Sequence, residues 1–173
     1  NGKVLKVVDG KWSVMDPIPT TYLSFIGNKD FGLKTAYDMK NWDGTLEYST
    51  DTITWNTWDG TEISSVGNKL YLRGIGNTKI TGDPERFSLY AFSFVVDNPY
   101  NSLISCEGNI ENLLDYETVS AGGHPTMADY CYAGLFVNCM PLATSPELPA
   151  TTLANGCYMY MFNGCLRLET APA

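Results

Sequence analysis

Residues 127–148 read MADYCYAGLFVNCMPLATSPEL, and residues 153–173 read LANGCYMYMFNGCLRLETAPA. Cys131 matches Cys157, Tyr132 matches Tyr158 and Phe136 matches Phe162. Cys139 then matches Cys165, Leu142 matches Leu168, Thr144 matches Thr170 and Pro146 matches Pro172. Every pair lies 26 residues apart, a register that chance does not produce in so short a window. One unit runs as a turn at 154–156 and an apolar stretch at 157–162, long enough for one or two helical turns. A turn at Asn163-Gly164 follows, then a brief extended stretch, Leu166-x-Leu168, ended by Pro172. Such a unit cannot bury its own apolar face and has to stack on a neighbour, so the repeat predicts an α/β solenoid of leucine-rich-repeat type. Residues 103–116 (LISCEGNIENLLDY) read as a strand and a short helix, a degenerate first coil that closes the apolar end of the stack. The sequence stops inside a unit and starts at Asn1 in place of Met, and we expect the native chain to be longer at both ends.

Upstream of the repeat the pattern changes. Short strand-like runs at 22–26, 31–37, 45–49, 69–73 and 89–96 alternate with turn signals. These are Gly27-Asn28, Asp43-Gly44, Asp59-Gly60, Gly67-Asn68 and Gly76-Asn77. Strands at this spacing with no helix between them predict an antiparallel β-sandwich. At the start of the chain, residues 3–8 and 11–14 flank Asp9-Gly10, a two-residue hairpin signal, and Pro17 and Pro19 make a stiff spacer. The expected protein is therefore mainly β in three parts: a hairpin or attachment segment at 1–16, a sandwich at 17–98 and a solenoid at 99–173.

The 173 residues carry 11 Lys and Arg against 19 Asp and Glu, a net charge of −8. No basic cluster interrupts the acidic balance, so neither nucleic acid nor an anionic membrane is an expected partner. No apolar run is long enough to span a bilayer.

Catalytic patterns are missing from the sequence. The single histidine, His124, lies in the loop AGGHP at 121–125, with no second histidine for a relay or a metal site. It reads as an exposed loop residue. The cysteines of the repeat are spaced by eight, unlike the close pairs of zinc sites. Two accounts stay open for them: disulfides between stacked units, or an inward-facing ladder of free thiols, which we favour. Asp43, Glu47, Asp51, Asp59 and Glu62 cluster in sequence, and they read as solvated turn acids more readily than as a carboxylate pair. We expect no catalytic residue, no metal and no cofactor.

Aromatic residues carry the binding expectation. Trp55 and Trp58 are three apart around a strand and turn, so they face opposite sides and one of the two belongs to the core. Trp58, beside Asp59-Gly60, is the one taken as a surface candidate, with Trp42 nearby. In the repeat, Tyr130 and Tyr160 are candidates because they do not recur at equivalent positions, whereas Tyr132 and Tyr158 do.

The unit ANGCYMYMFNGCLRLETAPA, with ELPATTL before it, resembles the BspA-like leucine-rich repeats of bacterial surface proteins and of some bacteriophage and prophage proteins. The matching positions are Phe136 and Phe162, the turns at Asn138-Cys139 and Asn163-Gly164-Cys165, and Leu142 and Leu168, although the family's common period is shorter. Residues 46–73, with Tyr48, Asp51, Trp55 and Trp58, are similar to the Ig-like modules that precede such repeats. The opening NGKVLKVVDGKW looks like a short hairpin found in phage fibre proteins. These resemblances imply a non-enzymatic fibre or decoration protein on a bacteriophage virion, adhering to host surface glycans or proteins. They also imply homo-oligomers, with a trimer as one form, and contacts to other virion proteins. A bacterial cell-surface adhesin, and the non-catalytic appendage of a glycan-degrading enzyme, are the alternatives.

Overall fold

The computed structural model describes the backbone of residues 4–8 and 11–15 and the whole of residues 21–170. Strands β1 (Val4–Val8) and β2 (Lys11–Met15) pair antiparallel, from Val4 opposite Met15 to Val8 opposite Lys11. The expected turn at Asp9-Gly10 and the spacer at Pro17 and Pro19 lie outside the described residues, as does Pro172.

The rest is mainly β. Strands β3 (Leu23–Gly27), β4 (Gly32–Thr35), β5 (Thr45–Ser49), β6 (Asn56–Trp58), β7 (Ile63–Ser64) and β8 (Lys69–Ile75) come first. A single helical turn, α1 (Phe87–Tyr90), precedes β9 (Phe92–Val95). Then follow β10 (Ile104–Glu107), the short helix α2 (Asn112–Ser120), which is interrupted at Asp115, and β11 (Leu142–Thr144). Six strands form one mixed sheet in the order β11-β10-β3-β8-β5-β6, and three form a second, antiparallel one in the order β7-β4-β9. The sheets face each other through aromatic edges: the ring of Phe25 on β3 meets Phe92 and Phe94 of β9 at 6.4 and 5.5 Å. This arrangement is compatible with a β-sandwich. Among the described residues no helix is long and apolar enough to cross a membrane.

Alternation explains the strands. In β8 the side chains of Leu70 and Leu72 are buried, while Tyr71 and Arg73 point to the opposite face. Gly67-Asn68 reverses the chain from Val66 into β8 as the sequence implies, with both residues at positive φ (54° and 59°) and Val66 and Lys69 exchanging hydrogen bonds across them. Strand β10 pairs antiparallel with β3 and parallel with β11, so one sheet draws on residues both before and after position 98.

The repeat differs from the expected helix-and-strand coil. Residues 131–136 and 157–162 form no helix. In the first unit alternate N–H groups, those of Cys131, Ala133, Leu135, Val137 and Cys139, close turns onto the carbonyl three residues back. The N–H groups between them, at Tyr130, Tyr132, Gly134, Phe136 and Asn138, donate to Asn155, Cys157, Met159, Met161 and Asn163 of the second unit at 2.7–2.9 Å. A left-handed residue recurs every fourth position, at 130, 134 and 138 and again at 156, 160 and 164. The physical reason is hydrogen-bond economy. A helix would use each N–H within itself and leave none for the neighbouring unit, whereas a ribbon of turns shares them between the two. The stretch expected around Leu166 and Leu168 is also no strand: Leu166 is exposed and Leu168 closes a turn on Cys165. Its counterpart β11 is a strand because β10 lies alongside as a parallel partner.

Equivalent rings stack between the units. Tyr132 lies on Tyr158 at 5.7 Å and 9°, and Phe136 on Phe162 at 5.6 Å and 6°. All five cysteines are free and buried. The thiol of Cys139 donates to the carbonyl of Phe92, and that of Cys165 to the carbonyl of Phe136. Phe92 thus does beneath the first unit what Phe136 does beneath the second.

Candidate functional site

The outer face of the six-stranded sheet carries the richest cluster of half-buried aromatic and charged side chains. Register builds it. Glu47 on β5 stands directly opposite Arg73 on β8, and Ser49 opposite Tyr71. Arg73 donates through Nε to Oε2 of Glu47 at 2.7 Å, and its Nη2 lies 2.7 Å from the same oxygen in an ion pair whose side chains are only 19% and 18% exposed. The guanidinium is sandwiched, with its centre 4.1 Å from the ring centroid of Trp55 and 4.4 Å from that of Tyr116 on α2. Tyr22 completes the group, edge-on to Tyr71 at 5.1 Å and tilted against Trp55 at 6.0 Å.

The loop that delivers Trp55 is held from within. The Asp51 carboxylate accepts N–H bonds from Ile53 and Thr54 at 2.8 Å and the Ser49 hydroxyl at 2.9 Å. Those bonds, the Thr54 and Ile53 N–H groups foremost, favour the charged form and bring the Asp51 pKa down to about 2. Ile53 stands 84% exposed in this loop, two residues from Trp55. Rings, a fixed ion pair and a stiffened loop form a surface suited to stacking on apolar faces of a ligand and donating or accepting hydrogen bonds beside them.

The structure relocates two of the sequence candidates. Trp58 is 1% exposed and Trp42 is 3% exposed; their rings stack at 5.2 Å, and Trp58 Nε1 donates to the Thr61 carbonyl. Both are core, not surface. The register explains the choice: Trp58 pairs with Leu46, whose side chain is inward, which leaves Trp55 on the outer face. Tyr130 is half-buried and accepts a hydrogen bond from Asn155, while Tyr160 is 57% exposed with its ring 5.7 Å from Phe87. Neither touches the aromatic face. Arg73, Tyr22 and Tyr116 were not singled out by sequence. The alternation of KLYLRGI at 69–75, with Leu70 and Leu72 inward, was the signal that could have placed Tyr71 and Arg73 together.

The acids of the turns serve their own backbones. Burial works to raise Asp43, but hydrogen bonds from the Thr78 hydroxyl and from the N–H groups of Thr78 and Lys79 outweigh it and hold it below its ordinary value. Asp59 is likewise lowered by Thr61. His124 is half-exposed as expected of a loop, yet it is not free. Its Nδ1 lies 3.0 and 2.8 Å from the two oxygens of Glu111, a buried carboxylate at the start of α2 that the sequence did not reveal. The pair borders a cleft reaching Thr126 and residues 150–154. Among the described residues no three His, Cys, Asp or Glu side chains converge as a metal site would require.

Comparison with known proteins finds no matching family, no matching curated protein and no matching solved structure.

Proposed function

We propose that this is a non-enzymatic recognition protein of a bacteriophage virion surface, a fibre or decoration protein that adheres to host surface glycans or proteins through the aromatic face. The two stacked units belong, in this reading, to a leucine-rich-repeat-like solenoid, and the sheets to an Ig-like module that carries the face. The observation that supports it is the half-buried group of Trp55, Tyr22 and Tyr71 around the Arg73–Glu47 pair. Sugar rings present apolar C–H faces bordered by hydroxyls, which match flat rings beside a fixed donor and acceptor. Individual contacts of this kind are weak, and display in many copies multiplies them into avidity.

A glycan array and a whole-cell binding assay, with the chain fused to an oligomerising tag, test the proposal. Saturable binding that falls at least ~10-fold in Trp55→Ala, corresponding to about 1.4 kcal/mol per site, is expected. Equal binding by Trp55→Ala, or no saturable binding at all, overturns it.

A further inference from the structure

The two units meet through a contact that has a direction. Carbonyls of the first unit accept from the layer beneath, Cys131 from Ile80 and Leu135 from Phe92. The first unit then donates upward with its N–H groups at 130, 132, 134, 136 and 138. The second unit repeats the design. Its carbonyls at 155, 157, 159, 161 and 163 are filled from below, and its N–H groups at 156, 158, 160, 162 and 164 have no hydrogen-bond partner among the described residues. These five donors form a row at two-residue spacing, beside the rings of Tyr158 and Phe162. Donors cannot pair with donors, so two copies cannot join through this face head-to-head. On the underside of the first unit the matching carbonyls of Cys131 and Leu135 are already taken by Ile80 and Phe92, and Cys131, Ala133 and Leu135 are fully buried, so a second copy cannot add head-to-tail there. The occupant that fits is another unit of the same design.

A second rule, steric, narrows that unit further. At the left-handed corners the side chain of the lower layer lies over the residue 26 positions on, and that residue is glycine. The Tyr130 ring lies where a Cβ on Gly156 would sit, and the Asn138 side chain does the same at Gly164. Phe87 plays this part for Gly134 in the layer below. The remaining, middle corner of the second unit is Tyr160, at φ 55°, a residue 57% exposed whose ring has Phe87 on one side at 5.7 Å.

We infer that the open face of the second unit is a docking surface for a third 26-residue unit, and that this unit carries glycine at the corner above Tyr160. The inference rests on the reading of residues 127–170 as stacked repeats, and it is independent of what the aromatic face binds. It implies an alternation in which bulky and glycine corners exchange from one unit to the next.

Two extended chains test it. One appends a copy of residues 122–147, which puts the copy of Gly134 above Tyr160. The other appends a copy of residues 148–173, which puts a tyrosine there. Amide hydrogen exchange is read at 156, 158, 160, 162 and 164, with the amides at 130–138 as an internal measure of folding. The first extension is expected to slow exchange at the five amides at least ~100-fold, as formation of a stable ladder requires. The second should protect them far less, and Tyr160→Gly within it should restore protection. Rapid exchange at the five amides in the first extension, with 130–138 still protected, overturns the docking surface. Equal protection by both extensions overturns the glycine rule. Neither result bears on cell or glycan binding, so this inference and the adhesion proposal fail separately.

Discussion

Trp55 and Trp58 lie three residues apart and have opposite fates. Trp58 sits between Trp42 and Phe92, at 5.2 and 5.4 Å, with its indole N–H satisfied by Thr61. Trp58→Ala is therefore expected to cost ~3–5 kcal/mol of stability, read as the shift of a urea unfolding curve, because it leaves a large void in a packed core. Trp55→Ala should cost far less and act on binding. Should the two substitutions destabilise equally, the division into core and face is wrong. The cysteines make a second expectation at this scale. Burial pushes Cys131 up to about 12 and Cys165 up to about 11, and Cys106 and Cys139 are also raised by burial. Thiolate is the reactive form, so the native protein at pH 8 should react with a thiol reagent far more slowly than the urea-denatured chain, in which all five react. Fast native labelling of several thiols would contradict their burial.

Among the elements, the 49–54 loop has a defined acid limit. Asp51 is depressed from an ordinary 3.8 to about 2 by bonds that need its charge. A carboxyl lowered in the folded state stabilises fully above its unfolded pKa, and that contribution is lost as pH falls through the folded value. The window therefore lies between about 4 and 2. The Ile53 and Thr54 amide resonances should titrate with a midpoint near 2, and Asp51→Ala should remove that titration and speed their exchange. A midpoint near the ordinary value would mean that the loop is not held as described. Sequence identified the strands well because alternation of apolar residues is local, as in β3, β5 and β8. It misread the repeat ribbons because an apolar run with small turn residues suits a helix equally well. Only the neighbouring unit, taking every second N–H, selects the ribbon of turns.

For the whole molecule, the sheet order is the informative feature. β10 and β11 extend the sheet that β3, β8, β5 and β6 begin, and one buried cluster runs from Leu23 through Phe25 and Phe92 to Phe136 and Met161. Gly74 on β8 lies so close to the Leu113 carbonyl before the middle of α2 that no side chain fits between them. We expect residues 21–170 to unfold in a single urea transition, coincident by fluorescence and circular dichroism. A chain ending at residue 98 should lack stable structure, because it loses β10, one of the two partners of β3, and the Phe136 ring against Phe25. Two separate transitions, or a folded 21–98 fragment, would show that the parts are independent.

The sequence by itself determined the 26-residue repeat, the mainly β character, the positions of most strands and turns, and the need of each unit to stack on a neighbour. Each of these follows from local periodicity or from identity at a fixed spacing. Tertiary structure decided which tryptophan faces outward, that Arg73 is gripped between Glu47, Trp55 and Tyr116, that Glu111 lies buried against His124, and that the repeats are ribbons of turns. Those outcomes depend on strand register and on partners distant in sequence. A one-residue change of register exchanges the faces of a strand, and hydrogen bonds between layers choose among backbone shapes that local sequence leaves nearly equal.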